Sequence, residues 1–395
     1  MPEISMNKNR GVILPEDFLQ RRRLPFDMKY WLDERDGDLI LHPCLPDIHK
    51  LYVEVTTDCN LRCRTCVRNV WDDPKAEMPL EMFLDLAAGL NDLPDLKRVI
   101  FTSFGEPLTH PYLLDMVEAV RSRDLAVTIG TNGLLLGPKM AHELVRLGVD
   151  RVMVSIDSGK PETYTEVRGA MLAQVVENIR HLNETKHQLG SLFPAVGIEF
   201  VALRSNIDEL ADLAKLAARL NVSRILVSNV LAYTEEMRSE ILYGHQPVPP
   251  YKTSSWALKA GAWVMWALQE LPRMHWGAER HCRFVHDHAV VVGWDGGVSP
   301  CYALSHNYSY HAIDGRKKRV CRYLFGNVDS RSLAEIWMSE DFVRFRSQVR
   351  AFYFPSCPDC DLRDSCDLRE QNKGCWGWDP SCADCLWAQD IIRCP

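Results

Sequence analysis

Residues 51–69, Leu-Tyr-Val-Glu-Val-Thr-Thr-Asp-Cys-Asn-Leu-Arg-Cys-Arg-Thr-Cys-Val-Arg-Asn, constrain this chain more than any other stretch. Three cysteines, Cys59, Cys63 and Cys66, follow a strand-like run at C-x3-C-x2-C spacing. A structural zinc site takes four N or S ligands, commonly as two separated pairs. A four-iron cluster takes one thiolate per iron, so three thiolates leave one iron open to a ligand from outside the chain. The trio points to a cluster with a free position; the competing readings are a half-formed zinc site and buried thiols.

The 395 residues allow two or three domains, each long enough to bury a core. A formal net charge of -7 argues against a general nucleic-acid binder, which carries a basic domain. The longest apolar run, Ala262 to Leu268, is far shorter than the roughly 20 residues a membrane span needs. Residues Met1 to Arg10 hold no hydrophobic signal region, so a cytoplasmic protein is expected, without nucleic-acid or membrane partners. Fourteen cysteines then need explaining in a reducing compartment, where structural disulfides are rare. After Cys44 and the trio none occurs until Cys282, and the other ten lie from there onward. This partition implies metal sites in two places; a disulfide framework would require export. Cys44, alone, reads as a buried thiol.

Residues 1–50 form an N-terminal extension, in which Arg21, Arg22 and Arg23 read as a solvated basic turn and Lys29 to Leu41 as a hairpin turning at Asp36-Gly37. Over 51–228, strands are expected at Leu51–Val55, Arg98–Thr102, Ala126–Gly130, Arg151–Ile156, Val196–Ala202 and Arg224–Ser228, since most are continuously apolar, as strands buried on both faces are. Helical patterns near 80–92, 111–122, 138–147, 161–187 and 207–220 separate them, the last with Asn206 as its expected N-cap. Such alternation is an α/β fold with a parallel sheet, either a partial (β/α)6 barrel of TIM type or a doubly wound sheet. Ligands in both collect at the carboxyl ends of the strands. Residues 229–281 are expected to be a linker, marked by Pro247, Pro249 and Pro250, with a helix from Ser254 to Leu271 bearing Trp256, Trp263 and Trp266 as packing between two domains.

The strand ends carry the three cysteines, then Ser103-Phe104-Gly105-Glu106-Pro107, then Thr131-Asn132-Gly133, then Ser155-Ile156-Asp157-Ser158. In this order they resemble the radical S-adenosylmethionine (SAM) superfamily, in which SAM chelates the open iron by its amino and carboxylate groups. The resemblance implies that Cys59, Cys63 and Cys66 hold the catalytic cluster and that Gly105-Glu106 binds the methionine amino group. It also implies that Asn132, Ser155 and Asp157 belong to the SAM site and that Arg168 pairs with the SAM carboxylate, for which a guanidinium fork is suited. Phe104 departs from the family's Gly-Gly-Glu segment, and Thr65 stands where many members carry an aromatic residue.

The tail gives a second signal. Ala289 to Gly297 reads as a hairpin turning at Asp295-Gly296, with Cys282 before it and Cys301 after it. Cys357-x2-Cys360-x5-Cys366 follows, then Cys375, Cys382, Cys385 and Cys394. The pattern resembles the SPASM extension of radical SAM enzymes, here spanning 282–395, which implies two auxiliary [4Fe–4S] clusters and three clusters in all. By that resemblance Cys357, Cys360, Cys366 and Cys385 hold the outer cluster, and Cys282, Cys301, Cys375 and Cys382 the inner one; the last four cysteines of the chain permit permutation. Cys321 lies outside the pattern. A pair of zinc ribbons is the competing reading.

The tail from Asn372 to Trp387, with Cys66-Val67-Arg68-Asn69, resembles one SPASM branch, the cofactor-modifying maturases of tungsten-containing aldehyde ferredoxin oxidoreductases. The resemblance implies a 5′-deoxyadenosyl radical acting on a tungstopterin cofactor or its host enzyme, and a low-potential electron donor such as ferredoxin or flavodoxin. Two alternatives remain: a maturase of a protein or peptide substrate, and a non-catalytic zinc or electron-transfer protein.

Overall fold

The computed structural model describes residues 5–6, 12–13, 16–21, 30–35, 37–102, 104–244, 271–277 and 279–394. Arg22, Arg23, Ser103, the three linker prolines and Trp256, Trp263 and Trp266 lie outside the described residues. At the amino-terminal side β1 (Ser5–Met6) pairs with β2 (Val12–Ile13), α1 covers Glu16–Arg21, and β3 (Tyr30–Arg35) pairs antiparallel with β4 (Asp38–Pro43). The last pair is the expected hairpin, with Gly37 at a φ of 85°, where a Cβ is strained.

Six parallel strands follow: β5 (Lys50–Val53), β6 (Arg98–Phe101), β7 (Ala126–Thr131), β8 (Arg151–Ser155), β9 (Ala195–Ala202) and β10 (Arg224–Asn229). Between them run α2 (Leu80–Ala88), α3 (Leu113–Arg121), α4 (Pro138–Arg146), α5 (Pro161–Arg168), α6 (Leu172–Gln188) and α7 (Leu210–Arg219). Alternate residues face opposite sides of a strand. Val53, Val99, Val127, Val152, Val196 and Ile225 face outward into the main core, shared with the helices. Tyr52 and Ile100, on the other face, pack inside the barrel against Phe284, Val291 and Tyr302. A Cβ at Gly197 would lie 2.3 Å from the Met153 sulfur, so this glycine leaves the room that Met153 fills.

The carboxyl-terminal part joins this sheet. β11 (Ala289–Val292) pairs parallel with β5, Ala289 opposite Lys50, and β12 (Gly297–Ser299) returns antiparallel to it as the expected hairpin. β13 (Tyr308–His311) and β14 (Lys317–Val320) form a separate pair, and β15 (Gly326–Asn327) ends the nine-stranded order β10-β9-β8-β7-β6-β5-β11-β12-β15. Helices Leu333–Trp337 and Glu340–Ala351 follow. The chain then returns to the barrel, where Asn229 N donates to Ile391 O and Arg393 N to the Ser228 hydroxyl at 2.9 Å.

Two expectations are corrected. The single helix over 161–187 is two, because Gly169 adopts the left-handed conformation at a φ of 70° and ends α5. Asn206 stands at the expected N-cap position but its side chain makes no capping bond: it accepts from Leu203 N and donates to Asp157 O and Val201 O, tying the ends of β8 and β9 together.

Candidate active site

The cysteine loop leaves β5 and is pinned from several sides. Glu106 N donates to Asp58 O at 2.7 Å, and a Cβ on Gly105 would lie 2.2 Å from Thr56 O, so only glycine lets the two loops approach this closely. Arg68 donates to Leu61 O at 2.6 Å and lies within electrostatic reach of Cys59, Cys63 and Cys66. Burial raises the Cys59 and Cys63 thiols, while the cations Arg68 and Arg168 respectively oppose it. A positive charge beside three thiolates is what a cluster-binding loop requires, and Arg68 is a site residue that the spacing argument did not single out.

A cavity of about 180 Å³ opens beside this loop, lined by Cys59, Cys63, Cys66, Gly105, Glu106, Asn132, Ser155 and Arg168, among others. The structure thus brings together the residues assigned to SAM, with one exception. Asp157 is fully buried, accepting from Arg168 Nε at 2.6 Å and from Val201 N at 2.8 Å. It orients Arg168 and does not line the cavity. Arg168, only 11% exposed, also reaches toward the Cys63 sulfur at 3.9 Å. Glu106 accepts from Asn132 N at 2.6 Å, Thr131 Oγ1 at 2.7 Å and Leu108 N at 3.1 Å, and burial raises its pKa against these bonds.

A second cavity, of about 240 Å³, abuts the first; both are lined by Thr65, Cys66, Thr102, Phe104, Glu199 and Val201. Tyr233, Tyr302, Trp387, Ile392, Arg393 and Cys394 complete its wall. Glu199 stands on β9 between the two; its Oε1 is shut off from solvent with no hydrogen-bond partner among the described residues, and burial pushes its pKa up to about 7. The Asn229 Oδ1 of the same wall is likewise unpartnered. Both orphaned atoms are acceptors, so this cavity suits a ligand that brings N–H or O–H donors.

His306 joins the two parts of the molecule. It is buried between Glu54, 2.9 Å from Nε2, and Asp73, which bonds Nδ1, and its ring packs against Trp71 and Phe104. Burial alone would lower its pKa, but the two carboxylates raise it to about 9.

The tail cysteines fall into two groups. Arg280 reaches Ala383 O and His281 N donates to Ala388 O, which brings Cys282 onto the segment carrying Cys382 and Cys385. Cys282, Cys301, Cys382 and Cys385 sense one another electrostatically, and burial pushes Cys282 up to about 12. Cys357 instead senses Cys366. Cys385 thus stands near Cys282, Cys301 and Cys382, and Cys394 also lies within electrostatic reach of Cys301 and Cys385. Cys375 is exposed, as is Cys360. The donors in both groups are thiols, and a cluster takes one thiolate at each iron, so the donor set fits iron–sulfur clusters.

A radical SAM superfamily model matches residues 53–227, and a SPASM iron–sulfur cluster-binding domain model matches 282–361. In fold the molecule is similar to Streptococcus suis SuiB bound to S-adenosylmethionine (TM-score 0.56, 16% identity, 82% of this chain and 73% of that one) and to anSMEcpe with bound AdoMet (TM-score 0.52, 15% identity, 87% and 93%). In sequence it is 38% identical over 348 residues to the tungsten-containing aldehyde ferredoxin oxidoreductase cofactor-modifying protein of Pyrococcus furiosus, covering 87% of this chain and 96% of that protein. A PqqA peptide cyclase of Streptomyces rochei is 28% identical over 48% of this chain and 50% of its own length. The chain belongs to the radical SAM/SPASM maturases, in the family of the Pyrococcus cofactor-modifying protein. No helix among the described residues is long and apolar enough to cross a membrane.

Proposed function

We propose that this enzyme modifies a tungstopterin cofactor or its host oxidoreductase by radical chemistry at the junction of the two cavities. The observation that supports the reading is their shared wall at Thr65, Cys66, Phe104 and Glu199, across which a substrate in one cavity would lie beside SAM in the other. Cys59, Cys63 and Cys66 would hold a [4Fe–4S] cluster, which when bound would supply the electron for reductive cleavage of SAM. The residues do the rest. Glu106 receives the methionine ammonium; Arg168, held by Asp157, receives its carboxylate. The aromatic wall excludes water from the reacting atoms. Glu199 and Asn229 accept hydrogen bonds from the substrate's donor edge, a pairing that suits the amino and ring N–H groups of a pterin.

Cys282, Cys301, Cys382 and Cys385 are assigned to the inner auxiliary cluster, Cys357, Cys360, Cys366 and Cys375 to the outer. With SAM and three clusters, a low-potential donor such as ferredoxin or flavodoxin completes the cycle, in the cytoplasm. Domain boundaries at 51–228 and 282–395 belong to the same reading. Whole-length similarity to the tungsten-enzyme protein favours this substrate over a peptide, since the peptide cyclase matches only half its length.

The test is anaerobically reconstituted, dithionite-reduced protein mixed with SAM. We expect 5′-deoxyadenosine from the parent and none from a Cys59/Cys63/Cys66→Ala triple variant. Zinc in place of iron and sulfide, with no 5′-deoxyadenosine, would establish the zinc reading instead.

A further inference from the structure

The barrel lumen is layered, and its lowest layer is basic. Lys50, Arg98, Arg151 and Arg224 are the first residues of β5, β6, β8 and β10. Lys50 and Arg98 share the strand face of Tyr52 and Ile100, which pack inside the barrel, and they are opposite one another in register. Arg151 shares the face of Met153, whose sulfur meets Gly197, and Arg224 pairs with that same Gly197. All four therefore converge at the amino mouth of the barrel, the end away from the SAM site. Arg98 and Arg224 lie close enough to lower the Arg151 pKa, with burial the larger cause.

Of these four cations only Lys50 has an ion-pair partner among the described residues, although Asp150 and Glu199 lie within electrostatic reach of Arg151 and Arg224 respectively. Lys50 pairs with Asp287 at 2.6 Å. Asp150, beside Arg151, is engaged by Arg121 at 3.2 Å. No carboxylate forms an ion pair with Arg98, Arg151 or Arg224 among the described residues, and the Nε atoms of Arg98 and Arg151 are buried without a hydrogen-bond partner. Gathering like charges at a half-buried mouth is unfavourable unless something offsets it. A cavity of about 100 Å³ adjoins Lys50 and Arg224, lined also by Arg283, Arg393 and a single carboxylate, Asp287; Arg98 and Arg151 stand beside it on the same inward face, outside its lining. Arg283 and Arg393 are held there by Asp390.

We propose that the amino mouth of the barrel is an anion site for a phosphate group, held by Lys50, Arg98, Arg151 and Arg224. Three unpaired guanidinium groups match a multiply charged tetrahedral anion, whose oxygens accept from their forks, better than a single carboxylate. The cavity opens on this mouth between Lys50 and Arg224. It shares Trp387, Ile392, Arg393 and Cys394 with the cavity beside the SAM site, so one terminal segment walls both. An anion bound below thereby fixes the wall of the substrate cavity above. The phosphate is free or the end of an ester, and the test separates these.

Potassium phosphate, pyrophosphate and guanosine monophosphate are titrated calorimetrically into the cluster-loaded full chain, at constant ionic strength with chloride as control. Saturable binding at one site is expected, weakened at least about tenfold, or about 1.4 kcal/mol, by Arg151→Gln and by Arg224→Gln. Arg224 is exposed, so its variant keeps the parent melting temperature, and Arg151→Lys recovers part of the affinity. A monoester tighter than phosphate assigns the site to an ester; equal or weaker binding assigns it to the free anion. Heats no larger than those of chloride, or binding undiminished in both glutamine variants, would overturn the proposal. Because the readout is binding, it stands or falls apart from the radical reaction, which is assayed on the same preparation.

Discussion

A Cβ added at Gly105 would lie 2.2 Å from Thr56 O and 2.7 Å from Asp58 O, both backbone atoms that cannot rotate away. Gly105→Ala must separate the cysteine loop from the loop after β6. It is expected to cost more than the roughly 1–3 kcal/mol of ordinary overpacking and to abolish SAM binding in equilibrium dialysis. Gly89→Ala is the matched control: it has a helical φ of −73° and nothing within 4 Å of the added carbon. Its melting temperature should stay level or rise slightly. At this scale the sequence was partly legible. The glycine-glutamate pair stood out by its place after a strand, whereas Arg68, Glu199 and His306 had no spacing to mark them. What makes them matter is convergence from distant segments: His306 meets Glu54 and Asp73 from more than two hundred residues away.

His306 also carries a pH prediction. Its folded pKa, about 9, lies above the ordinary imidazole value of about 6.5, so the folded state holds the proton more tightly than the unfolded chain does. The resulting stability is present in full below pH 6.5 and is lost as pH rises through about 9. A gap of this size corresponds to about 3 kcal/mol at most. The melting temperature of the parent should fall over that window more steeply than that of His306→Gln. Parallel curves would show that the histidine does not clamp the cysteine loop to the carboxyl-terminal part.

At the scale of elements, all six barrel strands were visible in advance, because continuous Val- and Ile-rich runs of that length suit strands buried on both faces. The helix after β8 was read too long because its apolar spacing continues across Gly169, and only a left-handed glycine breaks it. The cysteine-rich tail was legible as a ligand source but not as two ligand sets. Spacing orders thiols along the chain, whereas the contacts of Arg280 and His281 with residues 383 and 388 bring the segment of Cys282 against that of Cys382 and Cys385. That grouping makes an element-level prediction. Cys385→Ala and Cys382→Ala should each remove the same cluster, lowering iron by about four per chain on a [4Fe–4S] count and deleting one and the same electron paramagnetic resonance signal. Cys375→Ala should delete a different one. A signal shared by the Cys382 and Cys375 variants, with Cys385→Ala deleting the other one, would restore the pattern-based assignment.

At the scale of the whole molecule, the boundary between barrel and tail is a sequence boundary rather than a physical one. β11 continues the parallel sheet from β5 in register over four residues, Tyr302 donates to Thr102 O at 2.7 Å, and the last residues lie on the end of β10. Cutting the chain before Cys282 would strip β5 of its neighbour, expose an apolar edge, and remove Phe284, Val291 and Tyr302 from the lumen. The stretch 51–228 is therefore not expected to fold as a unit, although every residue proposed to bind SAM lies within it. A chain ending at residue 281 should aggregate or melt without a cooperative transition, and should fail to bind SAM. Removing only the last residues, after Asp390, should leave the barrel folded but open the substrate cavity, since Ile392, Arg393 and Cys394 wall it. In that shorter deletion 5′-deoxyadenosine should still form, with water now admitted and substrate product reduced relative to it. A ratio of product to 5′-deoxyadenosine equal to the parent's would show that the terminal segment is no part of the reaction chamber.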